Sequence, residues 1–463
     1  MSIHGPLGAT PQSGAFELRT PALDREISAW TRRGLLGLVG LLATGFVISI
    51  SAASTDSFLP ESVRPVPSWL AGPFGSAGLN LGVAGAIVVL VLMFVSYLAA
   101  VAAAERLSAR SVLMTIAGLH ALMLLAPPLL STDVFSYQAY ARMWASYGAN
   151  PYLHGPHVIA LDPLYPFIGA KWVTTPTAYG PVFTALSYLL GPLSIAASAL
   201  AYKAIATMAS LTIVALVWNA ARLRGLNPVR AIALVGLNPL IVVYGVGGGH
   251  NDLLMLAASM AGIYALLRYR ERAGGALLTL ATGIKLSAGL MLPFAAASPA
   301  GLGARDRRRN LLIGAGITTA LTATLAFGAF GTGPLHLLGT LHQTQSEGDW
   351  KSIPGFISTR LGLGMIGHIT GVFLAVLFAV AVVWLLRRVW RGEMDWIDGA
   401  AWATVAMLCT ASSLLPWYVA WLVPLVALCT SQRLWRVALV MTAVVQVIQL
   451  IGYLPHGSSL LGV

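Results

Sequence analysis

Long apolar runs alternate with short polar intervals along most of the chain. A transmembrane helix needs roughly 20 consecutive apolar residues. The runs predict about eleven such helices, or about thirteen if 274–298, which contains Lys285, forms a pair of short helices. The predicted spans lie at about 34–53, 79–103, 111–130, 203–221, 231–246, 253–267, 310–330, 367–386, 397–415, 419–431 and 435–454. The pattern therefore predicts an all-α, polytopic integral membrane protein.

Two long polar intervals interrupt the apolar pattern, at 131–180 and 331–366. Loops of this length in a compact membrane protein are usually functional. A polar tail, 1–33, precedes a single predicted transmembrane domain, 34–463, which contains both loops. The apolar piece at 181–198 is predicted to be a half-length or re-entrant helix, because a full span there would place the next basic cluster on the wrong side.

Composition supports the membrane assignment and sets the orientation. The 463 residues are 57% hydrophobic and 10% charged, with a mean hydropathy of +0.78, whereas soluble domains have about 25% charged residues. The net charge of +12 lies in short basic clusters between apolar runs, which is typical of multispan proteins and does not favour nucleic-acid binding. These clusters predict a cytoplasmic N-terminus and place both long loops outside the cell membrane.

One amphipathic stretch, 131–144, follows directly on an apolar run and opens the first polar interval. Ser131 or Thr132 is suited to cap a helix whose first turn holds Asp133, where the helix dipole favours an ionised carboxylate. Polar and aromatic residues share one face, as in a helix that lies at the membrane interface. Asp133 is therefore interpreted either as a stabilising helix-terminal acid or as a general base that accepts a proton from an attacking hydroxyl.

Three other features carry candidate chemistry. Residues 247–252 read Gly-Gly-Gly-His-Asn-Asp, which indicates either a tight turn with a capping Asp or an anion site of bare N–H groups and His250. Lys285 stands in an apolar segment, where an unpaired ammonium is costly, so it either contacts a phosphate or extends to the surface. Trp417, Tyr418 and Trp421 are typical of an interfacial aromatic belt, with sugar or lipid stacking as the alternative.

Four groups are predicted to lie at helix ends on the outer side of the membrane: the Asp133 helix, Tyr179-Gly180-Pro181, Gly249-His250-Asn251-Asp252 and Pro416-Trp417-Tyr418. A solute carrier would place its polar site near the midplane, so an outward-facing cleft fits the pattern better than a pore. A transporter or flippase of lipid-linked sugars and a non-catalytic scaffold are the competing interpretations. The outer histidines are too irregularly spaced to favour a metal site; they are His154, His157, His336 and His342.

Six short motifs occur in order along the chain. They are Asp133-Val134-Phe135-Ser136-Tyr137, Tyr179-Gly180-Pro181, Asn238-Pro239-Leu240, Gly249-His250-Asn251-Asp252, Lys285 before Leu292-Pro293, and Pro416-Trp417-Tyr418. Together they resemble the polyprenyl-phosphomannose-dependent α-1,6-mannosyltransferases of actinobacteria, which belong to the integral-membrane glycosyltransferases with the C-type fold. Each motif alone is weakly specific, but their order extends the resemblance over about 110 to 430.

The resemblance implies a polyprenyl-phosphate sugar donor, an inverting displacement, and a catalytic aspartate in the first large outer loop, which here is Asp133. It also implies that mannose is transferred to a mannan or lipoglycan acceptor during cell-envelope biosynthesis. Members of the family often have paired acids or a metal in that loop, whereas Val134 follows Asp133 directly here. No cofactor is therefore assigned, and a divalent metal is left open.

The residues expected to form the site follow from these interpretations. Asp133 is the expected base, and three cationic or polar side chains are candidates for stabilising the leaving phosphate: Lys285, His250 and Arg142. The further substrate-binding candidates line the expected sugar and lipid cleft; they are Tyr137, Tyr179, Asn251, Asp252, Trp350, Trp417 and Tyr418.

Overall fold

Over the residues that it describes, a computed structural model of the chain contains helices and no strand. The described residues are 21–52, 57–64, 66–75, 78–298, 303–346, 351–361 and 368–452. The α-helices are α1 (Pro21–Ser51), α2 (Gly82–Ala103), α3 (Ala109–Leu125), α4 (Asp133–Tyr147), α5 (Ala170–Val173), α6 (Pro181–Tyr188), α7 (Ile195–Leu223), α8 (Pro228–Gly236), α9 (Asp252–Leu267), α10 (Glu271–Ile284), α11 (Met291–Ala297), α12 (Ala304–Phe330), α13 (Leu337–Ser346), α14 (Ile353–Arg360), α15 (His368–Trp390), α16 (Trp396–Thr410), α17 (Val423–Ala427) and α18 (Gln432–Gly452). A π-helix covers Leu240–Val246, and 3₁₀ helices include Leu286–Leu290 and Pro416–Trp421.

Six helices are long and apolar enough to cross a membrane: α1, α2, α7, α12, α15 and α18. A seventh candidate span consists of α8 and the π-helix, which are bent by 46° relative to each other. Shorter apolar helices, including α3 and α9, occupy other predicted spans. The prediction of an all-α polytopic membrane protein is therefore confirmed. The described residues contain fewer full-length spans than the predicted eleven to thirteen. Several apolar runs form helices too short to cross the bilayer, and the length of an apolar run does not show where its helix ends.

Helix boundaries differ from the predictions in informative places. The first helix begins at Pro21, inside the predicted polar tail 1–33, and the rest of that tail lies outside the described residues. The predicted half-length helix at 181–198 is α6, with only eight residues. The apolar segment 274–298 is divided at Lys285, between α10 and a 3₁₀ helix, as the lone charge predicts.

A buried polar network fixes the bend between α8 and the π-helix. Pro239 has no N–H to donate and interrupts the helix. The side-chain oxygen of Asn238 accepts a hydrogen bond from the Leu240 N–H (2.9 Å), and its amide donates to the Tyr97 hydroxyl (3.1 Å). That hydroxyl donates in turn to the Leu234 carbonyl (2.9 Å). The bend therefore directs the chain at a defined angle into the turn at 247–252, called the glycine turn below.

A buried lysine connects α7 to the end of α3. The Lys203 ammonium donates to the carbonyls of Ala126 and Pro127, and the Nζ to oxygen distance for Pro127 is 3.1 Å. The lysine stem also lies against the glycine turn, since a Cβ at Gly249 would lie 3.2 Å from Cγ of Lys203. Lys203 therefore holds together the two segments that lead to Asp133 and to the glycine turn.

The site lies at the centre of the packed helices. Every residue from 231 to 253 is buried, so the bent span and the glycine turn have no exposed face. Helix α4 packs against α6 and α7, and α10 packs against α9 and α12. The start of α4, the glycine turn and the end of α10 consequently meet inside the protein.

Candidate active site

The Asp133 carboxylate lies at the first residue of α4 and is about nine-tenths buried. Its main-chain N–H donates to the Ser131 hydroxyl (3.2 Å), whereas the Thr132 side chain makes no capping hydrogen bond. The Trp172 indole N–H donates to Oδ1 at 3.1 Å, and Nδ1 of His250 lies 3.4 Å from Oδ2. The carboxylate is thus enclosed by an indole and an imidazole.

Opposing effects set the protonation state of Asp133. Burial raises the pKa of its carboxyl group, but the neighbouring His250, the Lys285 charge and the Trp172 N–H together hold it below the ordinary value of 3.8. The carboxylate is therefore ionised at neutral pH, as a general base has to be.

Two glycines and a tryptophan place the His250 ring beside Asp133. Gly249 has a φ of +68°, a left-handed conformation that glycine adopts without strain. A Cβ at Gly248 would lie 2.8 Å from Cδ2 of the imidazole, so the ring packs directly on the main chain. The ring is fully buried and stacks on Trp417 with centroids 3.8 Å apart and planes at 25°. Trp417 therefore supports His250 rather than forming an exposed belt.

A second buried carboxylate, Asp252, pairs with Lys285. The Lys285 Nζ lies 2.7 Å from Oδ1 of Asp252, and the Trp421 indole N–H donates to the same oxygen at 2.6 Å. The ammonium also lies 5.2 Å from the ring centroids of Tyr418 and Trp421, within cation–π range. The Lys285 side chain is 15% exposed, so its charge is held at the site and does not extend to the surface.

Tyr137 and Asn251 join the two carboxylate groups. Tyr137 lies one turn after Asp133 on α4, and its hydroxyl is 3.4 Å from Oδ1 of Asn251. Its ring packs edge-on against Tyr179, with centroids 4.9 Å apart. Burial raises the pKa of Tyr137 well above its ordinary value, so the phenol stays neutral. The structure thus brings together most of the predicted residues: Asp133, Tyr137, Tyr179, His250, Asn251, Asp252, Lys285, Trp417 and Tyr418.

The turn that contains Gly180 contacts the end of α10. The Gly180 N–H donates to the Ile284 carbonyl at 3.0 Å. A Cβ at Gly180 would overlap the carbonyl oxygen of Gly283, so only glycine allows the two segments to approach so closely. Because Lys285 directly follows Ile284, this contact fixes the position of the ammonium.

Substituting Gly180 tests this contact. We expect Gly180→Ala to lower the free energy of unfolding by roughly 1–3 kcal/mol, because the added methyl group forces the end of α10 to move. The matched control is Gly328→Ala in α12, where an added Cβ meets nothing within 4 Å and alanine is the better helix former. Thermal unfolding of both purified variants measures the difference, and equal unfolding temperatures would contradict the close approach.

Two predicted site residues do not belong to the described cluster. Arg142 pairs with Asp162 (Nη1 to Oδ1, 2.8 Å) and donates to the Leu193 carbonyl (2.9 Å), so its charge joins α4 to the polar interval 131–180 and to the segment before α7. Trp350 lies outside the described residues. No group of three or more His, Cys, Asp or Glu side chains among the described residues is arranged to hold a metal ion.

Three side chains of the site and its support were not predicted as site residues. Trp172 belongs to the first polar interval, but no sequence spacing pairs it with Asp133, which lies 39 residues earlier. Trp421 is one helical turn after Trp417, in the aromatic run that suggested a belt, and its bond to Asp252 is a long-range contact. Lys203 could have been found, because the cost of a charge in an apolar run applies to it as it does to Lys285.

Comparisons with known proteins agree with this picture. Residues 31–301 match the family described as Alpha-(1->6)-mannopyranosyltransferase, N-terminal domain, and residues 352–463 match the MptB C-terminal domain. An alpha-(1->6)-mannopyranosyltransferase of Mycobacterium tuberculosis is 27% identical over 406 residues, which cover 70% of this chain and 66% of that protein. Alpha-(1->6)-mannopyranosyltransferase A of the same organism is 28% identical over 321 residues, covering 65% and 61%. Alpha-(1->6)-mannopyranosyltransferase B of Corynebacterium glutamicum is 27% identical over 347 residues, covering 65% and 56%.

The fold and the buried acid–lysine cluster define a polytopic membrane protein with an enclosed polar site. The chain belongs to the alpha-(1->6)-mannopyranosyltransferase family of glycosyltransferases, because more than half of its residues match the family's N-terminal domain. This confirms the family resemblance found in the motifs. The chain spans between 56% and 66% of the length of the three relatives, and no solved structure matches it.

Proposed function

We propose that the protein transfers mannose from a polyprenyl-phosphate donor to a mannan or lipoglycan acceptor on the outer side of the cell membrane. The names of the relatives, alpha-(1->6)-mannopyranosyltransferases, support mannose as the transferred sugar. The observation that carries the proposal is that the ionised Asp133 and the Lys285 ammonium flank the same turn: Asp133 lies against His250, and Lys285 pairs with Asp252, two residues later. A base for the acceptor and a cation for the leaving phosphate are the two groups that this displacement requires.

The proposed reaction is a single displacement with inversion. Asp133 accepts the proton of an acceptor hydroxyl, whose oxygen attacks the anomeric carbon of a β-linked mannosyl phosphate. The bond from this carbon to the phosphate oxygen breaks on the opposite face, so the product is an α-mannoside. Polyprenyl phosphate leaves with the bonding electrons, and Lys285 stabilises its negative charge. His250 and Trp172 hold the carboxylate in place while it gains the proton.

The proposed orientation puts the N-terminus in the cytoplasm and the site outside the cell membrane. Helix α9 starts at Asp252 in the site and ends at Leu267, directly before the basic cluster at 268–272, and α10 returns from that cluster to Lys285. Basic clusters mark cytoplasmic loops, so the opposite helix ends are outside. On this proposal, the transmembrane domain at 34–463 presents its long outer loops to the acceptor.

A transfer assay in detergent separates this function from transport. Purified protein is incubated with synthetic polyprenyl-phosphomannose and an oligomannoside acceptor, and we expect mass spectrometry to show acceptors lengthened by mannose. A transporter or flippase of lipid-linked sugars acts between two compartments, which detergent micelles do not provide. Unmodified acceptor in micelles, together with movement of the donor across sealed vesicles, would support transport and contradict the proposal.

A further inference from the structure

A cavity of about 730 Å³ opens beside the candidate site. Its size lies in the range that holds a drug-sized ligand. The site contributes Lys285, Tyr418 and Trp421 to the lining, and helices α15 and α16 contribute much of the remainder. The cavity thus has the Lys285 ammonium at one side and a mostly apolar wall, formed by α15 and α16, at the other.

Helix α15 is a thin wall between this cavity and the outside of the protein. Its apolar side chains are largely exposed, for example Ile369 at 85%, Phe373 at 64% and Val380 at 61%. Since α15 is a candidate membrane span, these side chains face lipid in the membrane. The cavity is therefore separated from the acyl chains of the bilayer by a single helix.

Small residues on α15 create part of the cavity. Gly371 and Ala375 both line it and are four residues apart, so they share one helix face. An added Cβ at Gly371 meets no atom within 4 Å, which shows that the space beside it is open. Larger side chains at these two positions would extend into the cavity.

We propose that this cavity holds the isoprene units nearest the phosphate of the lipid donor, and that Gly371 and Ala375 determine whether they fit. The inference rests on the proposed function and deepens it. The phosphate lies at Lys285, the first isoprene units occupy the cavity, and the remaining chain stays in the bilayer. The Lys285 ammonium favours an amphiphile with an anionic head, because it has three N–H donors and its bond to Asp252 uses only one of them.

Shape, rather than transfer from water, provides the selectivity. A prenyl chain already lies in hydrocarbon before it binds, so moving it into an apolar cavity gains little hydrophobic free energy. Binding then depends on the phosphate contact and on close packing in the cavity. Filling the cavity with side chains should therefore weaken the binding of a long donor. A donor whose chain is too short to reach α15 should bind as before.

Two cavity-filling variants test the proposal, with one matched control. Gly371→Leu and Ala375→Leu are each expected to raise KM for the polyprenyl donor at least about tenfold, as a steric change in an apolar pocket does. KM for a single-isoprene phosphomannose donor should not change. Val380→Leu in the same helix, whose side chain is 61% exposed and does not line the cavity, should alter neither value. Equal KM ratios of the two donors in all variants would overturn the proposal.

A binding measurement keeps the cavity and the proposed chemistry separable. Polyprenyl monophosphate without sugar is titrated into wild type and the variants, and its stabilisation of the protein against heat is recorded. We expect stabilisation of wild type and Val380→Leu, and its loss in both cavity-filling variants. Equal stabilisation of all four proteins would refute the cavity assignment. Binding without any mannose transfer would instead refute the proposed function and leave the lipid-phosphate site standing.

Discussion

The Asp133→Asn variant is expected to lose roughly 10²- to 10⁴-fold in kcat while it folds and binds the donor normally. The asparagine keeps the size of the side chain and can still accept the Trp172 hydrogen bond, but it cannot take a proton from the acceptor hydroxyl. Initial rates of mannose transfer, measured at saturating donor and acceptor, test this expectation. Binding of polyprenyl monophosphate confirms that the variant is folded.

The alternative role of Asp133, a stabilising acid in the first turn of a helix, requires a matched control. Asp306 occupies the first turn of α12 and is exposed, so Asp306→Asn removes a helix-terminal charge away from the site. Such a charge contributes about 0.3–1 kcal/mol to stability. We expect Asp306→Asn to retain full activity. Equal transfer rates for Asp133→Asn and Asp306→Asn would show that Asp133 is only a helix-terminal acid.

The second large effect is expected at Lys285. Lys285→Met removes the cation assigned to the leaving phosphate and should lower kcat by roughly 10²- to 10³-fold. It also leaves the Asp252 carboxylate buried without its ion-pair partner, which costs about 3–5 kcal/mol in stability. Transfer rates and thermal unfolding have to be measured on the same preparation, because either effect alone reduces the apparent activity.

A double variant separates these two consequences of losing the lysine. Lys285→Met combined with Asp252→Asn removes both charges, so the buried carboxylate no longer destabilises the protein. We expect the double variant to recover much of its unfolding temperature but none of its transfer activity. Recovery of activity together with stability would mean that Lys285 serves only to neutralise Asp252.

Much of the architecture was predictable, because hydrophobic periodicity and the free-energy cost of burying a charge depend on residues that are close together in sequence. Lys285 marks the break between two helices, since a charge inside an apolar run is stable only where the chain can pair it. Asp133 is found in the first turn of α4 because the dipole and the exposed N–H groups favour an acid there. The span predicted at 231–246 is bent by 46° at Asn238-Pro239, which the apolar pattern alone did not indicate.

The pairings within the site were not predictable, because they join residues far apart in sequence. Trp421 donates to Asp252 across 169 positions, and Arg142 is held by Asp162 rather than by a substrate group. Helical spacing orders residues along one helix, but these contacts depend on how separate helices pack. The sequence therefore indicates which residue types are available, and the packing decides which of them meet.

The anomeric configuration of the product tests the central claim most directly. Purified protein is given a β-linked polyprenyl-phosphate mannose with isotopically labelled sugar, and the linkage in the lengthened acceptor is determined by NMR. A single displacement with Asp133 as base predicts an α-linked mannose made by wild type, with little or none made by Asp133→Asn. A β-linked product would require a covalent mannosyl intermediate or another double displacement, and it would contradict the assignment of Asp133 as a general base.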